Sequence, residues 1–249
     1  MKSTHIIADL HVTNDRDVKA ERLAGYLAGP ARDAQALYVL GDLFDVWIGD
    51  DGSIDTHAAT LDAFGALSAA GVPLYFIRGN RDFAVGSAFV ARTGFQILDD
   101  PTKISLHGVP TLLAHGDIFC SDDTAHQAFR ARYTDPRWRA RRLALPLWLR
   151  RAAAKRARRR STRAKHNKSR TIMDVTADTI TIMAHEYGVG RIIHGHTHRP
   201  ADHIEPGLAR YVVADWRADQ AEVLCVHEHG VARMRLDAHG HSVSHSAFG

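Results

Sequence analysis

Cysteine is scarce in this chain of 249 residues: Cys120 and Cys225 are the only two, and neither sits in a Cys-x-x-Cys pair. A disulfide framework is therefore excluded. Long apolar runs are missing too. The longest uncharged stretch, Ala63 to Ile77, is too short and too rich in Gly and Pro to cross a bilayer. Met1-Lys2-Ser3-Thr4 runs into a strand-like segment with no signal-peptide apolar region, so a cytoplasmic protein is expected. Acidic side chains are absent from Arg137 to Arg170, which holds 15 basic residues. That leaves 17 of the 32 Lys and Arg against all 28 Asp and Glu, a net −11 for the rest. The overall +4 thus conceals an acidic body with a basic insert. Hydrophobic residues make up 45%, enough for a sizeable core, which excludes disorder of the whole chain.

Periodicity organises the body. His5 to Ala8, Ala36 to Leu40 and Leu74 to Ile77 read as buried strands. Val18 to Leu27 and Thr56 to Ala70 between them have helical spacing. This alternation predicts a parallel sheet covered on both faces. Further strands are expected at Ile97 to Leu106, Pro110 to Ala114, Arg191 to Ile193, Tyr211 to Val213, Ala221 to Val226 and Val231 to Leu236, with a helix over Thr171 to Tyr187. No internal repeat is evident. Asp123 to Arg170 breaks the rhythm with three helices, around Thr124–Arg132, Pro136–Leu143 and Pro146–Lys165. The division expected is a core of 1–122 and 171–236, a helical insertion at 123–170, and a flexible tail at 237–249.

Each strand ends in the same chemistry. Ala8-Asp9-Leu10-His11, Gly41-Asp42-Leu43-Phe44-Asp45, Arg78-Gly79-Asn80-Arg81-Asp82, Ala114-His115-Gly116-Asp117 and His194-Gly195-His196-Thr197-His198 each follow an apolar run. Open parallel sheets bind ligands at their carboxyl ends, so the five clusters should converge. Carboxylate, imidazole and amide oxygen without thiolate favour Mn, Fe or Zn. Asp9 and His11, like His196 and His198, are two apart and on an extended chain would share a side. Glycines beside Asp42, Asn80, His115 and His196 would let the backbone turn at a crowded centre. Seven ligands suit two metals, with Asp42 the natural bridge. One such cluster alone is commonly a strand-end turn; five in order are a sharper signal.

The series resembles the calcineurin-like metallophosphoesterases, with their D-x-H, G-D-x-x-[DE], G-N-H-[DE], H-G and G-H-x-H motifs. The resemblance implies an α/β fold, a β-sandwich flanked by helices, around a dinuclear centre. One metal would take Asp9, His11, Asp42 and His198; the other Asp42, Asn80, His115 and His196. A metal-bridged hydroxide would attack phosphorus in line. Arg81 stands where most relatives have His. It has no proton to give at neutral pH but can clamp a second phosphate, which suits a diphosphate substrate.

Within that superfamily, Gly41 to Asp51, Gly79 to Phe83, His115-Gly116-Asp117, Ser121-Asp122-Asp123, Ile172 to Val175 and Ile193 to Pro200 resemble the UDP-2,3-diacylglucosamine hydrolase family of lipid A biosynthesis. The likeness spans about residues 4 to 236. It implies hydrolysis of UDP-2,3-diacylglucosamine to UMP and 2,3-diacylglucosamine 1-phosphate with two Mn²⁺ per chain. Catalytic roles fall on Asn80 and Arg81, and substrate contacts on Asn80, Arg81, Asp123, Ser161, Lys165, Lys168 and His196; Lys165 stands where relatives can have Asn. The insert would be a lid, with Phe129, Leu143, Leu147 and Trp148 lining an acyl chamber or else packing on the core. Peripheral attachment to the cytoplasmic face of the inner membrane follows from an Arg-rich helix with an apolar side. No obligate protein partner is expected. Alternatives are a phosphoesterase for another nucleotide diphosphate or a cyclic nucleotide, and a nucleic-acid-binding protein using the basic insert. Against the latter, the body is acidic and the insert lacks an aromatic stacking series. Asp45, Asp82 and Asp117 are expected to orient ligands or turns, Asp50-Asp51-Gly52 to form a turn, and His239, His241 and His245 to lie in the solvated tail.

Overall fold

The structure, a computed structural model, describes residues 2–167 and 174–246; the side chains of 159–167 and of 245–246 fall outside the description. Its strands are β1 (Thr4–Ile7), β2 (Ala36–Val39), β3 (Leu74–Ile77), β4 (Gln96–Leu98), β5 (Thr102–Leu106), β6 (Val109–Ala114), β7 (Arg191–His194), β8 (Ala201–Glu205), β9 (Leu208–Val212), β10 (Ala221–His227), β11 (Gly230–Leu236) and β12 (Ser242–Ser246). The helices are α1 (Val18–Ala28), α2 (Asp50–Ser53), α3 (Ala58–Ala69), α4 (Ser87–Thr93), α5 (Thr124–Tyr133), α6 (Pro136–Leu143), α7 (Leu147–Asn167) and α8 (Ala177–Tyr187).

Two sheets result, ordered β12-β11-β10-β1-β2-β3-β4 and β5-β6-β7-β9-β8. The first is antiparallel from β12 to β1 and parallel from β1 to β4; the second has a parallel centre, β6-β7-β9, and antiparallel edges. The parallel strands are covered on both faces as expected, one cover being helices and the other a second sheet, which is the β-sandwich flanked by helices that the family resemblance implied. Ile6, Tyr38 and Leu40 turn inward to meet Leu113, Ile193 and Tyr211 of the other sheet. Ile7, Leu37, Val39 and Phe76 turn outward beneath α1, α3 and α4. Leu112, Ala114 and Ile192 pack outward under α8. A strand buried on both faces carries the same apolar run whether its cover is helix or sheet, so the residues alone do not separate the two.

Other elements depart from expectation. Ile97 to Leu106 forms two strands in different sheets, because Asp100-Pro101 interrupts it and Pro supplies no ladder N–H. Asp50-Asp51-Gly52 opens helix α2 instead of a simple turn. Residues 237–246, expected as part of a flexible tail, are held: β12 pairs with β11, and buried Arg22 donates to the carbonyl of Asp237 at 2.9 Å. The expected helix from Thr171 begins at Ala177, and residues 171–173 lie outside the description.

The insert is helical where expected, and it docks on the body through ion pairs. Arg150 donates to the Ile48 carbonyl (2.5 Å) and to Asp51, and Arg158 pairs with Asp45. Phe129, Tyr133 and Trp138 surround Phe83 of the body, with ring centroids 5.5–6.1 Å away.

Candidate metal centre

The carboxyl ends of β1, β2, β3, β6 and β7 deliver the five clusters to one rim. Among the described residues, six non-glycine residues adopt positive φ, and five of them are Asp9 (55°), His11 (48°), Asp42 (52°), His196 (70°) and His198 (54°). Left-handed backbone at non-glycine residues costs on the order of 1–3 kcal/mol each and collects at functional sites. Convergence therefore comes from these bends, and not from the extended chain that the spacing of Asp9 and His11 suggested. Glycine is required by close approach at Gly79, where a Cβ would strike Asp42, and at Gly195, where it would strike Asp9.

All seven sequence-predicted donors meet. His11 Nε2 lies 3.9 Å from Asp9 Oδ1 and 3.2 Å from His198 Nε2. Asp42 faces both ways: Oδ2 is 3.8 Å from His11 Nδ1 and Oδ1 is 3.8 Å from His115 Nε2. His115 Nε2 in turn lies 3.1 Å from Asn80 Oδ1 and 3.2 Å from His196 Nδ1. Donors bound to one cation at about 2.1 Å stand roughly 3.0–3.4 Å apart, the spacing of the closest pairs here. Among the described residues, two triads have ligand atoms mutually within 4.8 Å: Asp9, His11 and His198, and Asp9, Asp42 and His115.

The polar atoms ask for positive charge. Asp9 Oδ1 and His11 Nδ1 are buried without a hydrogen-bond partner. Burial pushes His11 down to about 3. Burial, reinforced by His115, holds His196 well below the ordinary value. Both therefore offer lone pairs. Burial opposes charging His115 and His198, yet Asp42 and its acidic neighbours lift His115 to about 9, and Asp215 with Asp9 lifts His198 to about 10. Burial raises Asp42 to about 7 despite the pull of His115. For Asp9, burial is outweighed by His198, His115 and His11, which hold its carboxyl below the usual range. Carboxylates, neutral imidazoles and an amide oxygen fit divalent cations.

Three supporting acids lock this arrangement. Asp82, fully buried, accepts from the amides of Leu43 (2.7 Å), Gly79 (2.8 Å) and Asp42 (3.2 Å). Asp117 accepts from His126 (3.0 Å), Arg130 (3.1 Å) and Tyr133. Asp215 lies 3.5 Å from His198 Nδ1. Sequence reasoning singled out Asp82 and Asp117 but missed Asp215, which follows β9 outside every motif. Asp45, expected to serve similarly, pairs instead with Arg158 of the insert.

A calcineurin-like phosphoesterase family model matches residues 3–200. The chain is 43% identical over 94% of its length to a UDP-2,3-diacylglucosamine hydrolase from Xanthomonas campestris pv. campestris (strain B100), covering 99% of that protein. A hydrolase of the same name from Chromobacterium violaceum is 42% identical, covering 93% of this chain and 98% of the relative. The chain belongs to the UDP-2,3-diacylglucosamine hydrolase family of calcineurin-like phosphoesterases. Among solved structures, a Vps29 single mutant from Entamoeba histolytica shares the fold, with a TM-score of 0.51 at 11% identity and 99% of each chain covered.

For this hydrolase family member, the sequence-predicted substrate contacts are placed unevenly. Asn80, Arg81 and His196 lie at the centre. The backbone amide of Arg81 donates to Asp42 Oδ1 (2.8 Å), and its guanidinium charge is felt by both His11 and Asp42. Asp123 caps α5 by accepting from His126 N at 3.0 Å. Ser161 and Lys165 fall on α7, their side chains outside the description, and Lys168 lies outside the described residues. Of the suggested acyl-chamber residues, Phe129 packs on Phe83 and Tyr133, whereas Trp148 and Leu143 are exposed. Among the described residues, no helix is long and apolar enough to cross a membrane.

Proposed function

We propose that this chain hydrolyses the diphosphate of UDP-2,3-diacylglucosamine to UMP and 2,3-diacylglucosamine 1-phosphate, using two Mn²⁺ per chain. The observation that carries the reading is the meeting of seven donors on one rim, in a chain 43% identical to a hydrolase of that name. Asp9, His11, Asp42 and His198 would hold one cation; Asp42, Asn80, His115 and His196 the other. Bound there, the pair would supply Lewis acidity and a nucleophilic water at neutral pH. Arg81 clamps the phosphate that leaves. That group departs as an anion of low basicity, so a guanidinium with no proton to spare serves it well.

The insert, 123–170, serves as the lid in this reading, with Asp123, Ser161, Lys165 and Lys168 as substrate contacts. Exposed Trp148 on an Arg-rich helix supports peripheral attachment to the cytoplasmic face of the inner membrane. Quantitative recovery of the protein in the soluble fraction at low salt would contradict that attachment.

The deciding experiment measures Mn²⁺-dependent UMP release from UDP-2,3-diacylglucosamine and from UDP-GlcNAc, for wild type and Asp42→Ala. Selective release from the acylated substrate, abolished by Asp42→Ala, is expected. Equal cleavage of both substrates would remove the specific function and leave the superfamily activity.

A further inference from the structure

The first helix of the insert reaches into the support of the metal centre. His126, Gln127, Arg130 and Tyr133 fall on one face of α5, spaced at i, i+1, i+4 and i+7. All four bond to Asp117, three through its carboxylate and Gln127 through its carbonyl at 2.6 Å. Arg130 is itself buried, and it spans two acids. Its Nε donates to Asp117 Oδ1 (3.1 Å), while Nη2 donates to Asp100 Oδ2 (2.6 Å) and to the Asp100 carbonyl (3.0 Å).

Those two acids bracket His115. Asp100 Oδ1 accepts from the backbone N–H of His115 at 2.9 Å, and Asp117 stands two residues after it. The His115 ring is fixed at its far side, where Nδ1 meets the Leu40 carbonyl at 2.8 Å. The direction of Nε2 therefore depends on where the backbone at 115 is held. Without the guanidinium, Asp100 and Asp117 would lose the cation that bonds to both. Although Asp117 keeps His126 and Tyr133 and Asp100 keeps the His115 N–H, repulsion between the two buried carboxylates would shift the loop.

We propose that Arg130 is a positioning residue for His115, so that docking of α5 and affinity for divalent cations are coupled. The proposal rests on the reading above only in that the site holds such cations. Coupling of this kind is reciprocal: a cation that needs His115 in place must also favour the docked helix. The insert is then part of the metal centre's framework as well as its cover.

The test uses the full chain with Mn²⁺ as the probe. Mn²⁺ affinity by calorimetry and the Mn²⁺ EPR line shape are compared for wild type, Arg130→Lys, Arg130→Gln and Asp100→Asn. Arg130→Gln should bind about 10–100-fold more weakly, the range for losing support of a ligand. Arg130→Lys, able to reach one acid but not both, should fall between. Mn²⁺ should also slow hydrogen exchange of amides 124–133 in wild type and not in Arg130→Gln. A folded Arg130→Gln with wild-type affinity and line shape would overturn the proposal. If Arg130→Gln does not fold, Asp100→Asn decides on the same two readouts, since it keeps an acceptor for His115 N–H but loses the charge facing Arg130. Wild type that binds Mn²⁺ but releases no UMP would defeat the proposed function alone and leave this coupling standing.

Discussion

Asp215 steadies His198 from outside the metal motifs: its Oδ2 lies 3.5 Å from Nδ1, which leaves Nε2 facing Asp9 Oδ1 at 3.5 Å. Arg217 holds the same carboxylate oxygen at 2.9 Å, and Trp216 N–H donates to the Asp9 carbonyl at 3.2 Å. A carboxylate behind an imidazole fixes its tautomer and raises its basicity, and losing it costs about 10–100-fold in metal affinity. Asp215→Asn should therefore bind Mn²⁺ more weakly by that factor while keeping its fold. Calorimetry showing wild-type affinity in a folded variant would refute the role.

Asp82 fixes the loops on which Asp42 and Asn80 sit. Its carboxylate accepts amides from both, and no part of it is exposed. Asp82→Ala would leave several buried N–H groups unpaired at about 1–3 kcal/mol each. Allowing for partial relaxation, a loss of about 3–5 kcal/mol is expected. At roughly 2–4 °C per kcal/mol for a chain of this size, the melting temperature should fall by about 6–20 °C. A drop under about 2 °C in calorimetric melting would show that Asp82 is not the clamp.

Much of the site was legible in the residues because each contributing strand announces itself: an apolar run, then Asp, His or Asn beside Gly. Asp215, Asp100 and Arg130 carry no such mark. Their importance lies in what they touch across more than ten residues of sequence, and a carboxylate one turn away from a motif reads like any surface acid. The left-handed backbone of Asp9, His11 and Asp42 was equally hidden, since Asp and His tolerate it without requiring it. In the fold, β8 and α4 escaped notice: β8 is a largely exposed edge strand and α4 has only seven residues. The charge split was visible from the outset, but its physical meaning needed the pairs Arg130–Asp117, Arg150–Asp51 and Arg158–Asp45, which seat the basic insert on the acidic body.

Metal affinity should rise with pH. His115, up at about 9, and His198, up at about 10, must each give up a proton to ligate, as must Asp42 where it is still protonated near 7. Mn²⁺ binding at pH 7.5 should release protons, seen as a buffer-dependent binding enthalpy in two buffers of different ionisation heat. The chelated protein should show the matching stability trend. Groups raised in the folded state stabilise below their unfolded values, and that contribution is lost as pH climbs through the folded ones. For His115 and His198 the window is about 6.5 to 10; Asp42 loses its share by about 7. His11, pushed down to about 3, works oppositely and only on the acid side. Chelated protein should therefore melt at lower temperature at pH 9.5 than at pH 7, and a flat profile would contradict the assignment.

If Arg81 clamps the departing phosphate as proposed, it should separate a diphosphate from a simple ester. Its backbone is pinned on both sides, by its N–H to Asp42 and by its carbonyl, which accepts from Trp47 N–H at 3.0 Å, so the side chain starts from a fixed point beside the Asp42 carboxylate. A guanidinium presents two parallel donors to a phosphate, whereas an ammonium acts as a point charge. Arg81→Ala should lower kcat/KM on UDP-2,3-diacylglucosamine by about 10²–10³, the loss typical of one donor aimed at developing charge. Arg81→Lys should recover only part of it, and Mn²⁺ affinity should be little changed in either. On an activated aryl phosphodiester, whose leaving group is not a phosphate, the same variants should lose far less. Equal losses on both substrates would mean that Arg81 serves the attacked phosphorus and not the departing phosphate.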